Sequence, residues 1–148
     1  LVTAGRATAS LRACAPRPGL ALHYLPHLTQ DDYDHLLWAC NLNFVRGEDS
    51  LVRALWSGRP FVWHIYPQHD EAHRSKLEAF LDHIEAPASL RGLHRTWNGL
   101  DTRPLPALDL PAWSTTIAQA RERLLAQSDL GTRLLEFVAG HPADADSP

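Results

Sequence analysis

Residues 41–68 read Asn-Leu-Asn-Phe-Val-Arg-Gly-Glu-Asp-Ser-Leu-Val-Arg-Ala-Leu-Trp-Ser-Gly-Arg-Pro-Phe-Val-Trp-His-Ile-Tyr-Pro-Gln, and this stretch decides the fold. Residues 41–46 predict a strand, with Leu42, Phe44 and Arg46 on one face and Asn43 and Val45 on the other. Gly47 breaks it, and Glu48-Asp49-Ser50 opens a helix. Leu51, Ala54 and Leu55 recur at helical spacing, and Gly58 supplies the stop. Residues 60–66 form the most strand-like run in the chain, ended by Pro67.

The flanks extend the alternation. Upstream, residues 1–5 predict a strand ending at Gly5, then a short helix over Ala9–Ala15 and a turn at Pro16–Gly19. Residues 20–25 predict another strand, stopped by Pro26. Thr29 with Asp32 resembles a capping box, and the helix behind it turns Leu36, Leu37 and Cys40 inward. Downstream, a helix from about Gln68 to Ile84 carries Leu77, Phe80, Leu81 and Ile84 on one face. Residues 88–99 form a short helix, and 101–111 form a loop with three prolines. Two further helices cover Trp113–Gln127 and Leu130–Ala139. Short strands alternating with helices imply an α/β fold, a Rossmann-like parallel sheet with helices on both faces, followed by carboxyl-terminal helices. Residues 1–140 are expected to form one domain and 141–148 a flexible tail.

Bulk properties narrow the class. The 148 residues suffice for one domain with a hydrophobic core. A net charge of −3 without a concentrated basic patch argues against nucleic-acid or membrane partners. Cys14 and Cys40 match neither a disulfide framework nor a metal spacing, so a reducing cytoplasm is the expected location. The longest apolar stretch, Phe61 to Tyr66, is too short to span a membrane. The chain opens Leu-Val-Thr-Ala-Gly without an initiator Met and reads as a piece of a longer protein.

In parallel α/β sheets ligands bind beyond the carboxyl ends of the strands. Segments 26–33, 46–50 and 66–69 are expected to meet there. Arg46-Gly47-Glu48-Asp49-Ser50 sits between a strand and a helix. Free amides at that helix start form a natural phosphate site, Ser50 adds a hydroxyl, and the Arg46 fork can neutralise a diphosphate. Glu48 and Asp49 would repel the same diphosphate if both faced it. One carboxylate is therefore expected on ribose or sugar hydroxyls and the other at the helix cap. The plain alternative is a capped turn with Arg46 in a salt bridge. Gln30 can pair with a base edge and Tyr33, one turn on, can stack on its face, or both can be ordinary helix-start residues. Tyr66 can reach a ligand from the end of its strand. His64, His69 and His73 allow a metal-site reading, but no H-E-x-x-H pattern or cysteine accompanies them. No G-x-S-x-G, Walker A or G-x-G-x-x-G motif occurs.

The run "DYDHLLWACNLNFVRGEDSLVRALWSGRPFVWHIYPQ" from Asp32, with the preceding "LPHLTQ" and the following His73 and Lys76-Leu77, closely resembles the EarP family of protein-arginine rhamnosyltransferases. The likeness is dense over residues 22–81 and looser beyond 88. It implies one half of a two-domain GT-B glycosyltransferase, the carboxyl-terminal half that binds dTDP-β-L-rhamnose. The amino-terminal half, with the acceptor site and an aspartate needed for transfer, is not matched. By this resemblance Gln30 and Tyr33 lie around the thymine nucleotide. Arg46, Gly47, Glu48, Asp49 and Ser50 lie around the diphosphate and sugar, and Glu48 matches a glutamate needed for activity. The acceptor is an arginine of elongation factor P, transfer inverts, and no metal or other cofactor is implied. His27 stands where the family often has an aromatic residue, and Asn41 where it usually has an aspartate. Three rivals stay open: a GT-B transferase for another base or sugar, a non-catalytic nucleotide-binding module, and a metal-dependent hydrolase built on the histidines.

Overall fold

The structure, a computed structural model, describes residues 1–15, 17–68 and 72–140. The elements are α1 (Arg6–Ala13), α2 (Gln30–Ala39), β1 (Asn43–Arg46), α3 (Glu48–Ser57), β2 (Phe61–His64), α4 (Ala72–His83), α5 (Ala88–Trp97), α6 (Leu110–Leu125) and α7 (Leu130–Gly140). β1 and β2 pair in parallel, from Asn43 opposite Phe61 to Arg46 opposite His64. The local causes are those read from the sequence. Thr29 caps α2 by accepting the Asp32 amide at 3.1 Å. Gly58 ends α3 in the left-handed region at φ 69°, which lets the chain turn back into β2. Asn43 and Val45 are buried while Phe44 and Arg46 are exposed, the expected alternation.

The sheet is smaller than expected. The predicted strands at 1–5 and 20–25 reduce to one parallel bridge between Val2 and Tyr24. Val2 donates to the His23 carbonyl and Leu25 to the Val2 carbonyl, both at 2.8 Å. Leu20 and Leu22 remain 58% and 40% exposed, so little apolar packing holds this segment in a longer ladder. The described residues thus form a mixed α/β fold with a two-stranded parallel sheet and helices, narrower than the full Rossmann-like sheet expected. β1 and β2 are also shorter than 41–46 and 60–66. Gln68 precedes α4 rather than joining it, and the expected tail lies outside the described residues.

Phe61, Val62 and Trp63 of β2 form the floor of the core. Leu77 and Leu81 of α4, Leu90 and Leu93 of α5, and Trp113, Ile117 and Ala120 of α6 belong to the same buried cluster. Each large aliphatic side chain buried this way contributes about 1.5–3 kcal/mol.

The outer edge of β2 is closed by side chains of α5 and its C-cap, not by another strand. The His94 Nε2 accepts the Trp63 amide at 3.1 Å, and the Asn98 Oδ1 accepts the Ile65 amide at 3.0 Å. Asn98 also donates through Nδ2 to the Trp63 and His94 carbonyls, each at 2.8 Å. Backbone groups that a third strand would have paired are satisfied, and the edge is covered.

Candidate functional site

A cleft of about 800 Å³ opens at the carboxyl end of β1. Its walls come from the segment before α2, the start of α2, the end of β1, the first turns of α3, and Tyr66. Two of the three predicted segments, 26–33 and 46–50, meet there, and the third contributes Tyr66. Thr3, Ala4 and Gly5 also line it. These three fall outside the three expected segments, although the carboxyl-end rule applied to the strand expected at 1–5 would have found them. His69 lies outside the described residues.

Gln30, Tyr33, Arg46, Asp49 and Ser50 all line this cleft, and so does His27. Tyr33 packs partly against the core, which holds its ring in place. Arg46 forms no ion pair among the described residues. Its guanidinium instead lies over the Tyr66 ring, 4.7 Å from the centroid. The plain alternative of a salt-bridged Arg46 does not describe the geometry. A cation held on an aromatic face keeps its N–H groups available to an anion.

Gly47 is buried at the α3 start with φ 82° and ψ 170°, a conformation essentially reserved for glycine. A Cβ there would meet Tyr66 Cε2 at 3.0 Å. The Gly47 carbonyl accepts the buried Trp63 Nε1–H at 3.1 Å, which ties the turn to the core. No side chain caps α3. The Asp49 and Ser50 amides are left for solvent or a ligand, with the positive end of the helix dipole behind them, whereas the Glu48 amide meets its own carboxylate.

The two carboxylates do not divide as expected. Neither caps the helix. Glu48 is not on the cleft wall and pairs with Lys76 at 3.1 Å. That hydrogen bond holds the Glu48 carboxyl below the usual carboxylate range. Asp49 accepts from Arg53 Nε at 3.2 Å. Both negative groups face cations, which eases the repulsion of an anion at the helix start.

Arg53 was not singled out in the sequence, although its i,i+4 spacing from Asp49 was legible. It lines the cleft and also donates through Nη1 to both Asp34 oxygens, at 3.0 and 2.9 Å. His64 is partly buried; burial, then the Arg46 charge, push its imidazole below the usual range. His73 accepts the Gln68 amide through Nδ1 at 3.2 Å. Among the described residues no group of three His, Cys, Asp or Glu side chains could hold a metal ion. Asn41 is exposed and lies two residues before β1 rather than at the strand start. Among the described residues no helix is long and apolar enough to cross a membrane.

The molecule is an α/β protein whose parallel strand–helix–strand unit opens a cleft at the carboxyl end of its first strand, with Arg46 and the start of α3 beside it. Residues 1–139 match the family described as Elongation-Factor P (EF-P) rhamnosyltransferase EarP. A protein-arginine rhamnosyltransferase of Pseudomonas aeruginosa is 42% identical, the match covering 83% of this chain and 35% of the relative. One from Pseudomonas putida is 45% identical, with 82% and 35% covered. A solved structure described as the structural basis for EarP-mediated arginine glycosylation of translation elongation factor EF-P aligns with a TM-score of 0.72 at 35% identity. That alignment covers 94% of this chain and 50% of the other. The chain belongs to the EarP family. It spans about a third of the length of these curated relatives, 35% in both cases.

Proposed function

We propose that this chain is the donor-binding part of a protein-arginine rhamnosyltransferase. Residues 1–140 form the carboxyl-terminal, Rossmann-like half of a GT-B enzyme, and the cleft takes dTDP-β-L-rhamnose. The whole enzyme transfers rhamnose to an arginine of elongation factor P with inversion, in the cytoplasm and without a metal. One observation carries the reading: Arg46, in no ion pair among the described residues, shares a cleft with the uncapped start of α3, and Gln30 and Tyr33 stand on the α2 side.

The chemistry follows from that placement. Tyr33 stacks on thymine and Gln30 pairs with its edge. Arg46, the α3 amides and Ser50 take the diphosphate, and Asp49 accepts from ribose or sugar hydroxyls. A guanidinium nitrogen of the acceptor attacks the anomeric carbon as its bond to the diphosphate oxygen breaks. The transition state is oxocarbenium-like. Charge grows on the leaving diphosphate, where Arg46 and the amides stabilise it most. The guanidinium proton passes to a carboxylate, which the family resemblance assigns to the half not matched here. Glu48 is the catalytic candidate within this chain. It stands off the cleft wall beside Lys76, which holds its carboxyl below the usual range, and can accept from a guanidinium brought to that side.

Calorimetric titration of the chain with dTDP-β-L-rhamnose, with UDP-glucose as control, tests the reading. Saturable binding that prefers dTDP and is lost in Asp49→Ala is expected. A preference for UDP would instead favour a transferase for another nucleotide sugar. No binding to either would remove the donor-site proposal. The chain alone is expected to leave elongation factor P unmodified; a mass increase of one deoxyhexose on its arginine would overturn that part.

A further inference from the structure

We propose that Arg53 is a positioning residue for the donor. It sets the spacing between the α2 wall and the α3 wall of the cleft and aims Asp49. The inference rests on the donor-site reading above.

The guanidinium lies between two carboxylates on two helices. Nη1 binds both oxygens of Asp34 on α2, and Nε binds Asp49 one turn earlier on α3. Among the described residues this is the one ion pair joining α2 to α3. The Arg53 side chain is only 23% exposed, so the fork is held by its surroundings as well as by its partners. The far end of α2 is fixed separately, because Arg59 Nε donates to the Trp38 carbonyl at 2.9 Å. Arg53 therefore ties the end nearer the cleft to α3, beside the packing of Tyr33 on the core. That end carries Tyr33 and Gln30, whereas Asp49 and Ser50 stand on α3. A ligand that reaches both walls depends on their spacing. A ligand that touches only the α2 wall does not. Lysine replaces this geometry only in part, since a single ammonium lacks the planar fork that serves two carboxylates in fixed directions.

A direct role makes the opposite forecast for Asp34. If Arg53 acted only as a positive charge near the diphosphate, neutralising Asp34 would free that charge and tighten binding. If Arg53 acts by position, losing Asp34 loosens α2 from α3 and weakens binding. The test is calorimetry of the chain and its Arg53→Met, Arg53→Lys and Asp34→Asn variants with dTDP and with the base thymine, alongside thermal unfolding. Expected is a dTDP Kd raised about tenfold in Arg53→Met and Asp34→Asn, and by less in Arg53→Lys. Affinity for thymine, which meets only Tyr33 and Gln30 on α2, should hold within about twofold. A general structural defect would instead lower both affinities together with the unfolding midpoint, and would overturn the proposal. Unchanged or tighter dTDP binding by Asp34→Asn would overturn it too. If the unsubstituted chain binds no dTDP, the donor-site reading itself fails, and this inference with it.

Discussion

At the scale of single residues, Gly47 is the point where backbone, core and cleft meet. Its carbonyl is tied to Trp63 and its α-carbon faces Tyr66, the ring on which Arg46 rests. An alanine there would carry a strained φ and push on Tyr66 at 3.0 Å. Gly47→Ala is expected to destabilise the chain by about 1–3 kcal/mol, read from urea unfolding midpoints. It should also displace Arg46 and weaken dTDP binding. A variant as stable as the parent would show that the turn relaxes freely. The residue scale is also where the sequence reading was most uneven. Gln30, Tyr33, Arg46, Asp49 and Ser50 were legible because each sits beside a helix start or strand end, and those ends follow local rules. Arg53 sits mid-helix, where an exposed arginine is the ordinary case. Its importance comes from Asp34, 19 residues away in sequence.

At the scale of elements, the edge of β2 depends on the protonation state of one imidazole. His94 is fully buried, and burial lowers its pKa to about 4. Its Nε2 must stay unprotonated to accept the Trp63 amide, so the proton sits on Nδ1 and is donated to the Leu90 carbonyl. The unfolded chain binds a proton near pH 6.5, whereas the folded chain resists until pH falls to about 4. Between these values the unfolded state holds more protons, so stability rises with pH. The contribution is complete above pH 6.5 and lost as pH falls toward 4. Loss of about 2 kcal/mol between pH 7 and pH 5 is expected, with His94→Gln flattening that slope while retaining an acceptor for the amide. If the parent and His94→Gln lose equal stability over this range, some other group titrates. His94 and Asn98 escaped the sequence reading for a physical reason. They bond residues 31 to 35 positions away, and no periodicity reports a side chain standing in for a strand.

At the scale of the whole molecule, stability is concentrated between β2 and helices α4 to α6, and α7 lies outside that core. No α7 residue is buried, and Leu130 and Leu135 are 81% and 73% exposed. Truncation after Gln127 should therefore move the stability by no more than about 0.5 kcal/mol. A larger drop in the thermal midpoint would show that α7 packs on the core in solution.

The division between sequence and tertiary structure follows the range of the forces involved. Turn residues, caps and the 2.0 and 3.6 periodicities act over a few neighbours. From them the sequence alone determined β1, α3 and β2 in order, the breaks at Gly47 and Gly58, and the meeting of segments 26–33 and 46–50 in one cleft. The dense run from Asp32 to Gln68 likewise determined the family. The tertiary structure alone decided whether an extended segment found a partner, which reduced residues 1–5 and 20–25 to one bridge. It also decided which cation each carboxylate met, Lys76 for Glu48 and Arg53 for Asp49. Pairing and charge matching between distant segments depend on where packing brings them, because both fall off steeply with distance and local spacing does not encode that distance.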